Sequence, residues 1–418
     1  METDSTKDQV SRRAFLGVGS AALAAVGALS IGGVSAQEQT AGSRGASDKS
    51  RSDPGPANST VDAQNLDSTW PPATDSKSLV PTFKYPFSMA NKRLYKGGWS
   101  REVTVRELPV SKSLAGVNMR LTAGGVRELH WHTAGEWAIM LYGSARITAV
   151  DLDGKSFVAD TNKYDLWFFP SGVPHSIQGL EPDGCEFMLV FDDGNFSESE
   201  TVLLSDSVSH IPPEVLAKNF GVSEQALKNV PRQELFIFQA PLPPSLETDQ
   251  RVAGALGKSS RDFAFRTMQM PVTRRTKSGE VRIVDSNQFK VSTTAMALVS
   301  VHPGGLRELH WHPNASEWQY YIEGKARMTV VDTGNKARTM DFQAGDVGYV
   351  EKTLLHYIEN TGDTDVVFLE MFKSSFFQEV SFSEWLTHTP PELVMAHLNI
   401  DRATLDAIPR DESVIVPG

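Results

Sequence analysis

Residues 124–132 read GGVRELHWH and residues 304–312 read GGLRELHWH, so one phrase occurs twice with a single difference. Core packing does not produce a repeat this long and this polar, which therefore indicates two copies of one domain. In each copy a glutamate follows the phrase, and a further histidine comes 39 residues after that glutamate. The sequence therefore predicts two metal sites, with the ligands His130, His132, Glu136 and His175 in the first and His310, His312, Glu317 and His356 in the second.

The ligand types narrow the choice of metal. Imidazole nitrogens and a carboxylate suit first-row divalent ions, whereas oxygen-only sites favour magnesium or calcium, and thiolates favour zinc or iron–sulfur clusters. Cys185 is the one cysteine of the chain, which excludes thiolate clusters and disulfides within the chain. Three histidines and one glutamate leave roughly two open positions on an octahedral ion, which favours catalytic manganese or iron over a closed, structural zinc.

The spacing of the ligands also predicts local structure. Residues two apart on a β-strand point to the same face, so His130 and His132 share a face and the tryptophan between them points away. Three residues separate His132 from Glu136, but four separate His312 from Glu317. Straight strands would turn one of the two glutamates to the wrong face, so a turn or bulge must interrupt each stretch.

Both stretches resemble the cupin signature, G(x)5HxH(x)3–4E(x)6G followed by G(x)5PxG(x)2H, whose first part ends here at Gly143 and Gly324. Longer segments resemble the bicupin oxalate decarboxylases: DLWFFPSGVPHS from residue 165, FDDGNFSES from residue 191 and GKARMTV from residue 324. The resemblance extends from Trp70 to the C-terminus. It implies an all-β fold of two tandem cupin barrels, of the double-stranded β-helix or jelly-roll type, each with a short C-terminal helical tail.

This resemblance and the pattern of turn residues predict where the domains of the chain begin and end. The N-terminal cupin domain is expected at residues 81–244 and the C-terminal cupin domain at residues 245–418. The helical tails are predicted at residues 210–230 and 388–408, because each contains a Pro-Pro-Glu sequence that suits the first turn of a helix. In the family such tails pack between subunits, so a homo-oligomer, a trimer or a hexamer, is expected.

The resemblance also implies roles for residues near each metal. Strand parity alone turns Arg127 and Arg307 away from the histidines and favours surface salt bridges, but the family uses this arginine to hold a substrate carboxylate. Glu198, in the segment SESET at 197–201, corresponds to the proton donor of a mobile lid; without the resemblance the segment would be interpreted as a solvated acidic loop. Glu370 corresponds to a carboxylate beside the second metal. The predicted catalytic residues are Glu198, Arg127, Glu370 and Arg307.

The sequence departs from the family pattern at a few positions. Glu200 stands where the family often has a serine, and Phe377 stands where some relatives have a tyrosine. The first copy has no acid equivalent to Glu370, since its counterpart is Val190 or a near neighbour. The histidines outside the two motifs are expected to be structural or on the surface: His210, His302, His388 and His397.

The activity implied by the resemblance is a manganese-dependent conversion of oxalate to formate and CO2, with two Mn2+ ions per chain and dioxygen as a recyclable oxidant. Oxalate oxidase is the nearest alternative, with the same metal and substrate but with CO2 and hydrogen peroxide as products. A metal-dependent dioxygenase acting on another acid should have a larger apolar pocket. A storage-type bicupin without activity is disfavoured, because such proteins lose the histidines and this chain keeps both sets.

Charge and the N-terminal sequence bear on partners and location. The net charge of -11 argues against nucleic-acid binding, which requires a basic surface. Arg12 and Arg13 precede Phe-Leu and a Gly/Ala-rich run, so residues 1–36 are predicted to be a twin-arginine export signal that leads to the periplasm or to secretion. That run is too short and too rich in glycine for a stable membrane anchor. Residues 37–80 are predicted to form a flexible polar arm.

Overall fold

The computed structural model describes residues 80–334 and 336–417 of the chain. The predicted export signal at 1–36 and all but the last residue of the predicted arm at 37–80 lie outside the described residues, so both stay predictions. Within the described part, no helix combines the length and the apolar character that a membrane span requires. Strands predominate there and helices are few and short, which confirms the predicted all-β fold class.

The first half of the described chain alternates short strands, rich in β-branched and aromatic residues, with Gly, Pro and Asp turns. Its strands are β1 (Lys84–Pro86), β2 (Lys92–Tyr95), β3 (Gly98–Val103), β4 (Ala115–Leu121), β5 (Gly125–Trp131), β6 (Glu136–Val150), β7 (Ser156–Asn162), β8 (Leu166–Phe169), β9 (His175–Gly179), β10 (Cys185–Phe191), β11 (Val202–Leu203) and β12 (Ile237–Gln239). Its α-helices are α1 (Leu204–His210), α2 (Pro213–Phe220) and α3 (Leu246–Ala253).

The second half repeats this order. Its strands are β13 (Ala264–Phe265), β14 (Arg274–Thr276), β15 (Gly279–Val284), β16 (Ala295–Val301), β17 (Leu306–Trp311), β18 (Glu317–Glu323), β19 (Lys325–Asp332), β20 (Lys336–Gln343), β21 (Asp346–Val350), β22 (Leu355–Asn360), β23 (Val366–Phe372), β24 (Val380–Ser381) and β25 (Ile415–Val416). Its helices are α4 (Phe382–Thr387), α5 (Pro391–Leu398) and α6 (Arg402–Ala407).

A glycine at the end of the cupin signature bends each barrel wall. Gly143 lies within β6, which pairs with β8 and β10 before the glycine and with β7 and β9 after it. Its φ of +71° is left-handed, and a Cβ there would lie 2.0 Å from the carbonyl oxygen of Gly184. Gly324 has a φ of +82° and separates β18 from β19 in the same way. The repeated glycine is therefore required by backbone geometry.

Each half contributes a strand to the other half. Strand β1 pairs antiparallel with β21 of the second half, and β13 pairs antiparallel with β8 of the first half. A shared apolar core joins the two barrels, with side chains that include Trp137, Ile139, Phe168 and Met188 from the first and Met296, Trp318, Tyr320 and Leu369 from the second. The domain limits predicted at 81, 244 and 245 stay predictions.

The helical tails start earlier than predicted and are broken into short helices. Helix α1 begins at residue 204 and α4 at residue 382, each six residues before the predicted start. The Pro-Pro-Glu sequences do open helices, with Pro213 and Pro391 at the first helical position. Gly221 then ends α2 in a left-handed conformation, and Asn399 ends α5 in the same way. These caps explain why neither tail is one continuous helix.

Candidate metal centres

The four predicted ligands of each copy meet inside a barrel. In the first metal centre, His130 lies on β5 directly opposite His175 on β9, while His132 follows the end of β5 and Glu136 opens β6. The second metal centre repeats this arrangement with His310 opposite its partner on β22. In each centre all four side chains are buried, and their ligand atoms lie within 4.8 Å of one another.

The break that the spacing requires between histidines and glutamate is present in both copies. Strand β5 ends one residue before His132, and β17 ends one residue before His312. The chain then bends over three residues in the first copy and four in the second before the next strand begins at the glutamate. The extra residue is thus absorbed in the bend, and both carboxylates reach the barrel interior.

Backbone carbonyls orient every imidazole of the two centres. The Nδ1 atom of His130 lies 2.6 Å from the Glu128 carbonyl oxygen, and that of His175 lies 2.7 Å from the Val173 carbonyl oxygen. The other four imidazoles make equivalent contacts at 2.7 to 3.0 Å. If Nδ1 donates in each contact, Nε2 keeps its lone pair toward the centre, which is the arrangement that metal-bound histidines require.

Burial and charge adjust the ligands for a cation. Burial, followed by the charge of Arg127, lowers the pKa of His130 well below its usual value, so this imidazole is neutral and able to bind a metal. Burial alone would raise the pKa of Glu136, but the neighbouring imidazoles outweigh it and the pKa is lowered well below its usual range. An anionic oxygen among neutral imidazoles is a donor set that suits a divalent first-row ion.

An unpaired buried atom supports this fit. Among the described residues, Nε2 of His310 is buried and has no hydrogen-bond partner. A buried polar atom without a partner is costly, and a metal ion at the centre of the ligand set would satisfy it. The second centre therefore fits a bound cation, and the first offers the same four ligand types within the same 4.8 Å limit.

The free oxygen of the ligand glutamate is held differently in the two centres. In the first, Trp167 donates from Nε1 to Oε1 of Glu136 at 3.1 Å. In the second, Gln319 donates from Nε2 to Oε1 of Glu317 at 2.6 Å. The second barrel has Gly348 where the first has Trp167, and a Cβ at Gly348 would lie 2.7 Å from the Gln319 side-chain oxygen. Trp167 in the first centre and Gln319 in the second thus serve the same purpose: each orients the ligand carboxylate by a hydrogen bond to its free oxygen.

A β-bulge brings the repeated arginine inside, so the parity expectation of a surface position is wrong. The pairing of β5 with β9 shifts between Arg127 and His130, and β17 with β22 shifts at the same place. The extra residue lets the arginine and the histidine share a face. Arg127 and Arg307 are accordingly buried. The motif glutamate is also buried, and Glu128 accepts hydrogen bonds from the backbone N–H groups of Ser205 and Phe236.

Arg127 is buried with few protein partners. Its guanidinium lies 3.9 Å from the centre of the Phe236 ring, and Nη1 donates one long hydrogen bond of 3.4 Å to the Phe236 carbonyl oxygen. Burial lowers the pKa of Arg127, although the charges of Glu198 and Glu136 oppose this effect. Within the described part of the chain, no other hydrogen bond of this guanidinium is found, so most of its five donors are available to a ligand.

Arg307 is occupied by carboxylates of the protein. Its Nε donates to Glu370 at 3.2 Å, and its Nη2 makes a short ion pair with Glu379. Burial lowers the pKa of Arg307, but the charges of Glu379 and Glu370 outweigh it and the pKa is raised. Glu379 also shares a hydrogen bond with Glu412, whose pKa is raised to about 8 by burial and then by the charge of Glu379. The second centre thus contains its own anions beside the arginine.

Glu198 is buried although it lies on an irregular segment. The lid, defined as residues 197–201, contains a 3-10 helix at Glu198–Glu200, and the Ser197 side chain caps it by accepting from the Ser199 N–H. Ser100 donates from Oγ to Oε2 of Glu198 at 2.7 Å. Burial raises the pKa of Glu198, while the charge of Arg127 and the Ser100 hydrogen bond lower it. Glu200 is exposed, so the lid is not a uniformly solvated acidic loop.

Comparison with known proteins agrees with this architecture. A model of the cupin family matches residues 87–228 and 268–406. The chain is 51% identical to the oxalate decarboxylase OxdC of Bacillus subtilis over 363 residues, which cover 86% of this chain and 93% of that protein. The chain is a bicupin of the oxalate decarboxylase family. It is also 35% identical to an oxalate decarboxylase of Arthroderma benhamiae, with 95% of this chain and 97% of that protein covered.

Solved structures agree as well. A structure of the Bacillus subtilis oxalate decarboxylase, studied for the Mn(II) centres of that protein, superimposes on this bicupin with a TM-score of 0.81. The two chains are 50% identical, and the match covers 87% of this chain and 96% of the other. The two-barrel prediction is therefore confirmed at the level of fold and family.

Several residues of the bicupin site were missed by the sequence reasoning. The register sets Leu189 opposite Ala138, as Glu370 is opposite Gln319, so Leu189 rather than Val190 is the counterpart of Glu370. Strand pairing cannot be predicted from one sequence. Without it, the place of Trp167 beside the first centre could not be predicted either. Other residues lie far along the chain from the motifs and gave no local signal: Ser100, Glu102, Glu379 and Glu412.

The remaining predictions have mixed outcomes. Phe377 packs against the second centre with its ring centre 5.6 Å from that of His312, and as phenylalanine it has no hydroxyl to offer there. The histidines outside the motifs are exposed, as expected: His210, His302, His388 and His397. The catalytic roles of Glu198, Arg127, Glu370 and Arg307 stay predictions.

Proposed function

We propose that this bicupin is a manganese-dependent oxalate decarboxylase that converts oxalate to formate and CO2 with dioxygen as a recyclable oxidant. The observation that carries the proposal is the first metal centre, where three histidines and a glutamate lie beside an arginine with available donors and a buried glutamate. The decarboxylase relatives and the Mn(II) centres of one of them support the choice of substrate and metal.

The proposed metal ligands are the eight residues of the two centres. A bound manganese ion would supply open coordination positions for a carboxylate and one-electron redox chemistry. The protein supplies the surroundings. Burial of the ligands excludes bulk water, and imidazoles bind a metal as neutral ligands, so three of them with one anionic carboxylate would leave a net positive site once a divalent ion is present. That local charge offsets the net charge of -11, which would otherwise repel an oxalate dianion.

Arg127 and Glu198 have complementary tasks in this proposal. The planar guanidinium of Arg127 holds a carboxylate of oxalate through paired, charge-assisted hydrogen bonds. In net terms, loss of CO2 from the oxalate dianion leaves an electron pair on the remaining carboxylate carbon, and this pair forms the C–H bond of formate with one proton. Glu198 provides that proton, because its raised pKa keeps part of the population protonated at mildly acid pH.

The first centre is the proposed oxalate site, and the second is not. Arg307 already binds Glu370 and Glu379, so an incoming carboxylate would have to displace a buried protein carboxylate. We therefore expect one oxalate per chain in calorimetry without dioxygen. Arg127→Gln should weaken that binding by about 10- to 100-fold, since it removes charged hydrogen bonds. Arg307→Gln is the matched comparison, and it should leave one oxalate bound; two oxalates per wild-type chain would contradict the assignment.

The activity is tested directly by the products that the purified protein forms from oxalate in air. The proposal requires one formate and one CO2 for each oxalate consumed, with little hydrogen peroxide. Stoichiometric peroxide without formate would instead identify an oxalate oxidase. If oxalate is not consumed at all by protein with both metal sites filled, another acid is the substrate.

We also propose that the protein is exported by the twin-arginine route and acts in the periplasm or after secretion. Replacing Arg12 and Arg13 by lysine keeps the charge but removes the arginine pair, so the precursor should accumulate inside the cell. Cell fractionation with antibody detection measures this. Lys7→Arg is the control, because it changes a basic residue close to the arginine pair and leaves the pair itself intact. Normal export of the double-lysine precursor would indicate an ordinary secretory route.

A homo-oligomer, a trimer or hexamer, is proposed on the strength of the family resemblance. Exposed apolar side chains on the helical tails support it: Val215 and Phe220 on α2, and Trp385 and Leu393 on α4 and α5, are each at least half exposed.

A further inference from the structure

We propose that the β2–β3 hairpin is the lid support: Ser100 and Glu102, assisted by Arg93, select Glu198 as the inward-facing acid of the lid and hold it in position for proton transfer. This inference rests on the proposed function, because it assigns positioning residues for the acid of that reaction. None of the three belongs to the repeated motifs, and none binds the predicted metal.

Three contacts from the hairpin reach neighbouring groups of the lid. Ser100 donates from Oγ to Oε2 of Glu198 at 2.7 Å, and both residues are buried. The backbone N–H of Glu198 donates to Oε2 of Glu102 at 3.0 Å. Arg93 donates from Nη2 to the hydroxyl of Ser199 at 3.1 Å. The hairpin thus binds the lid at the carboxylate of Glu198, at the backbone N–H of Glu198 and at the side chain of Ser199.

The hairpin is itself a rigid support. Arg93 and Ser100 are directly opposite each other in the β2–β3 pair, and Ser100 also pairs with Met119 on β4, so the serine lies on a central strand. Arg106 donates to Oε1 of Glu102 at 2.9 Å and fixes the carboxylate that receives the lid N–H. A positioning group on a paired strand is held more firmly than one on a loop.

The support explains which of two similar acids faces inward. The lid sequence SESET offers Glu198 and Glu200, separated by one residue. Of these, Glu198 is 3% exposed and bound by Ser100 and Glu102, whereas Glu200 is exposed. The lid sequence alone does not distinguish them. The hairpin distinguishes them. The Ser100 hydroxyl binds the carboxyl group of Glu198, and the Glu102 carboxylate binds the backbone N–H of the same residue.

The same hairpin reaches the arginine of the first centre. Tyr95, at the end of β2, stacks on Phe236 with ring centres 5.0 Å apart. The Phe236 ring also contacts the guanidinium of Arg127, which lies 3.9 Å from the ring centre. One hairpin therefore supports both the acid and the arginine, so the distance between these two groups is set by a single element.

The Ser100 hydrogen bond also selects the oxygen that carries the proton. Since the serine hydroxyl donates to Oε2, the acid form of Glu198 carries its proton on Oε1, and proton transfer leaves an anion that Ser100 stabilises. The charged groups that act on this carboxyl are Arg127, Glu102 and Arg93. Loss of the Ser100 hydrogen bond removes an interaction that favours the anion, so the acid form should persist to higher pH.

The test compares Ser100→Ala with a control that also loses a buried serine hydrogen bond. Ser292→Ala is that control: Ser292 is buried in the second half and donates to the Thr294 carbonyl oxygen at 2.7 Å, away from the lid. In the metal-loaded enzyme, Ser100→Ala should lower the formate-to-peroxide ratio by about 10- to 100-fold, the usual effect of a lost hydrogen bond to a charged group. The alkaline limb of formate production should move to higher pH.

Glu102 provides a readout that does not depend on activity. Glu102→Ala should speed hydrogen exchange of the Glu198 N–H by about 10-fold or more, because that N–H loses its acceptor. Glu102→Gln keeps an oxygen acceptor and should restore most of the protection. Faster exchange confined to the lid in Glu102→Ala supports the inference, and unchanged exchange overturns it.

The outcomes separate this inference from the proposed function. If the wild-type enzyme makes formate and Ser100→Ala has the same product ratio and pH profile as Ser292→Ala, the lid support is wrong and the decarboxylase proposal stands. If the wild-type enzyme makes no formate, the function fails and the positioning role fails with it. If Ser100→Ala does not fold, Glu102→Ala and Glu102→Gln still decide by exchange.

Discussion

His130→Ala should abolish formate production and reduce the metal content from two ions per chain to one. His130 is one of four buried ligand residues whose donor atoms lie within 4.8 Å, and alanine leaves three donors and a cavity. Changes to outer-shell partners alone cost about 10- to 100-fold in metal affinity or activity, so loss of a direct ligand should exceed 100-fold. Metal analysis of the purified variant, together with a formate assay, measures both effects.

The control for this prediction is a histidine outside the centres. His302 is exposed and pairs with Asp365 at the surface, so His302→Ala should keep both ions and full activity. An active His130→Ala protein with one ion would show that the first centre is not the oxalate site. A protein that purifies with zinc alone in both centres and is active would contradict the redox proposal.

The ligand sets could be predicted from sequence because their constraint is local. Two histidines at i and i+2 share a strand face whatever the rest of the fold, and the repeat revealed each set twice. The unequal spacing before Glu136 and Glu317 even required the interruption that both copies contain. These predictions needed no knowledge of which strands pair, which is why they agree with the structure.

The position of the arginines could not be predicted by the same rule. Parity counts residues along an unbroken strand, and the bulge between Arg127 and His130 inserts one residue that the count cannot detect. The family resemblance gave the inward position without giving its cause. The cause is the bulge in β5, the same stretch in which Glu128 accepts hydrogen bonds from the N–H groups of Ser205 and Phe236.

The difference between the two centres could be predicted only in part from the sequence. The sequence indicated unequal sites through Glu370, which has no acidic counterpart in the first copy. It did not reveal Glu379, whose ion pair with Arg307 spans 72 residues of sequence. Contacts of that range depend on how β17 and the segment before β24 are brought together. Such contacts depend on tertiary structure, and patterns in a single sequence do not reveal them.

Glu198→Gln should lower formate production by about 10²- to 10⁴-fold, which is the usual contribution of a positioned general acid. Glutamine keeps the size of the side chain and can still accept the Ser100 hydrogen bond, but it has no proton to give. Metal content should stay at two ions per chain, because Glu198 is not among the ligand residues. Oxidation of oxalate needs no placed acid, so hydrogen peroxide should form a larger share of the residual product.

The pH profile provides an independent check on the same residue. Burial raises the pKa of Glu198, and the acid form is the proton donor, so formate production should be greatest at mildly acid pH and should fall as the pH rises through that pKa. In Glu198→Gln this limb should disappear, since glutamine does not titrate. Glu200→Gln is the control, because Glu200 is exposed, whereas Glu198 is buried and hydrogen-bonded to Ser100 and Glu102. If Glu200→Gln is the inactive variant, the lid must shift by two residues during turnover. If neither variant changes the products, the proton comes from another group, and the buried Glu370 would be the next to test.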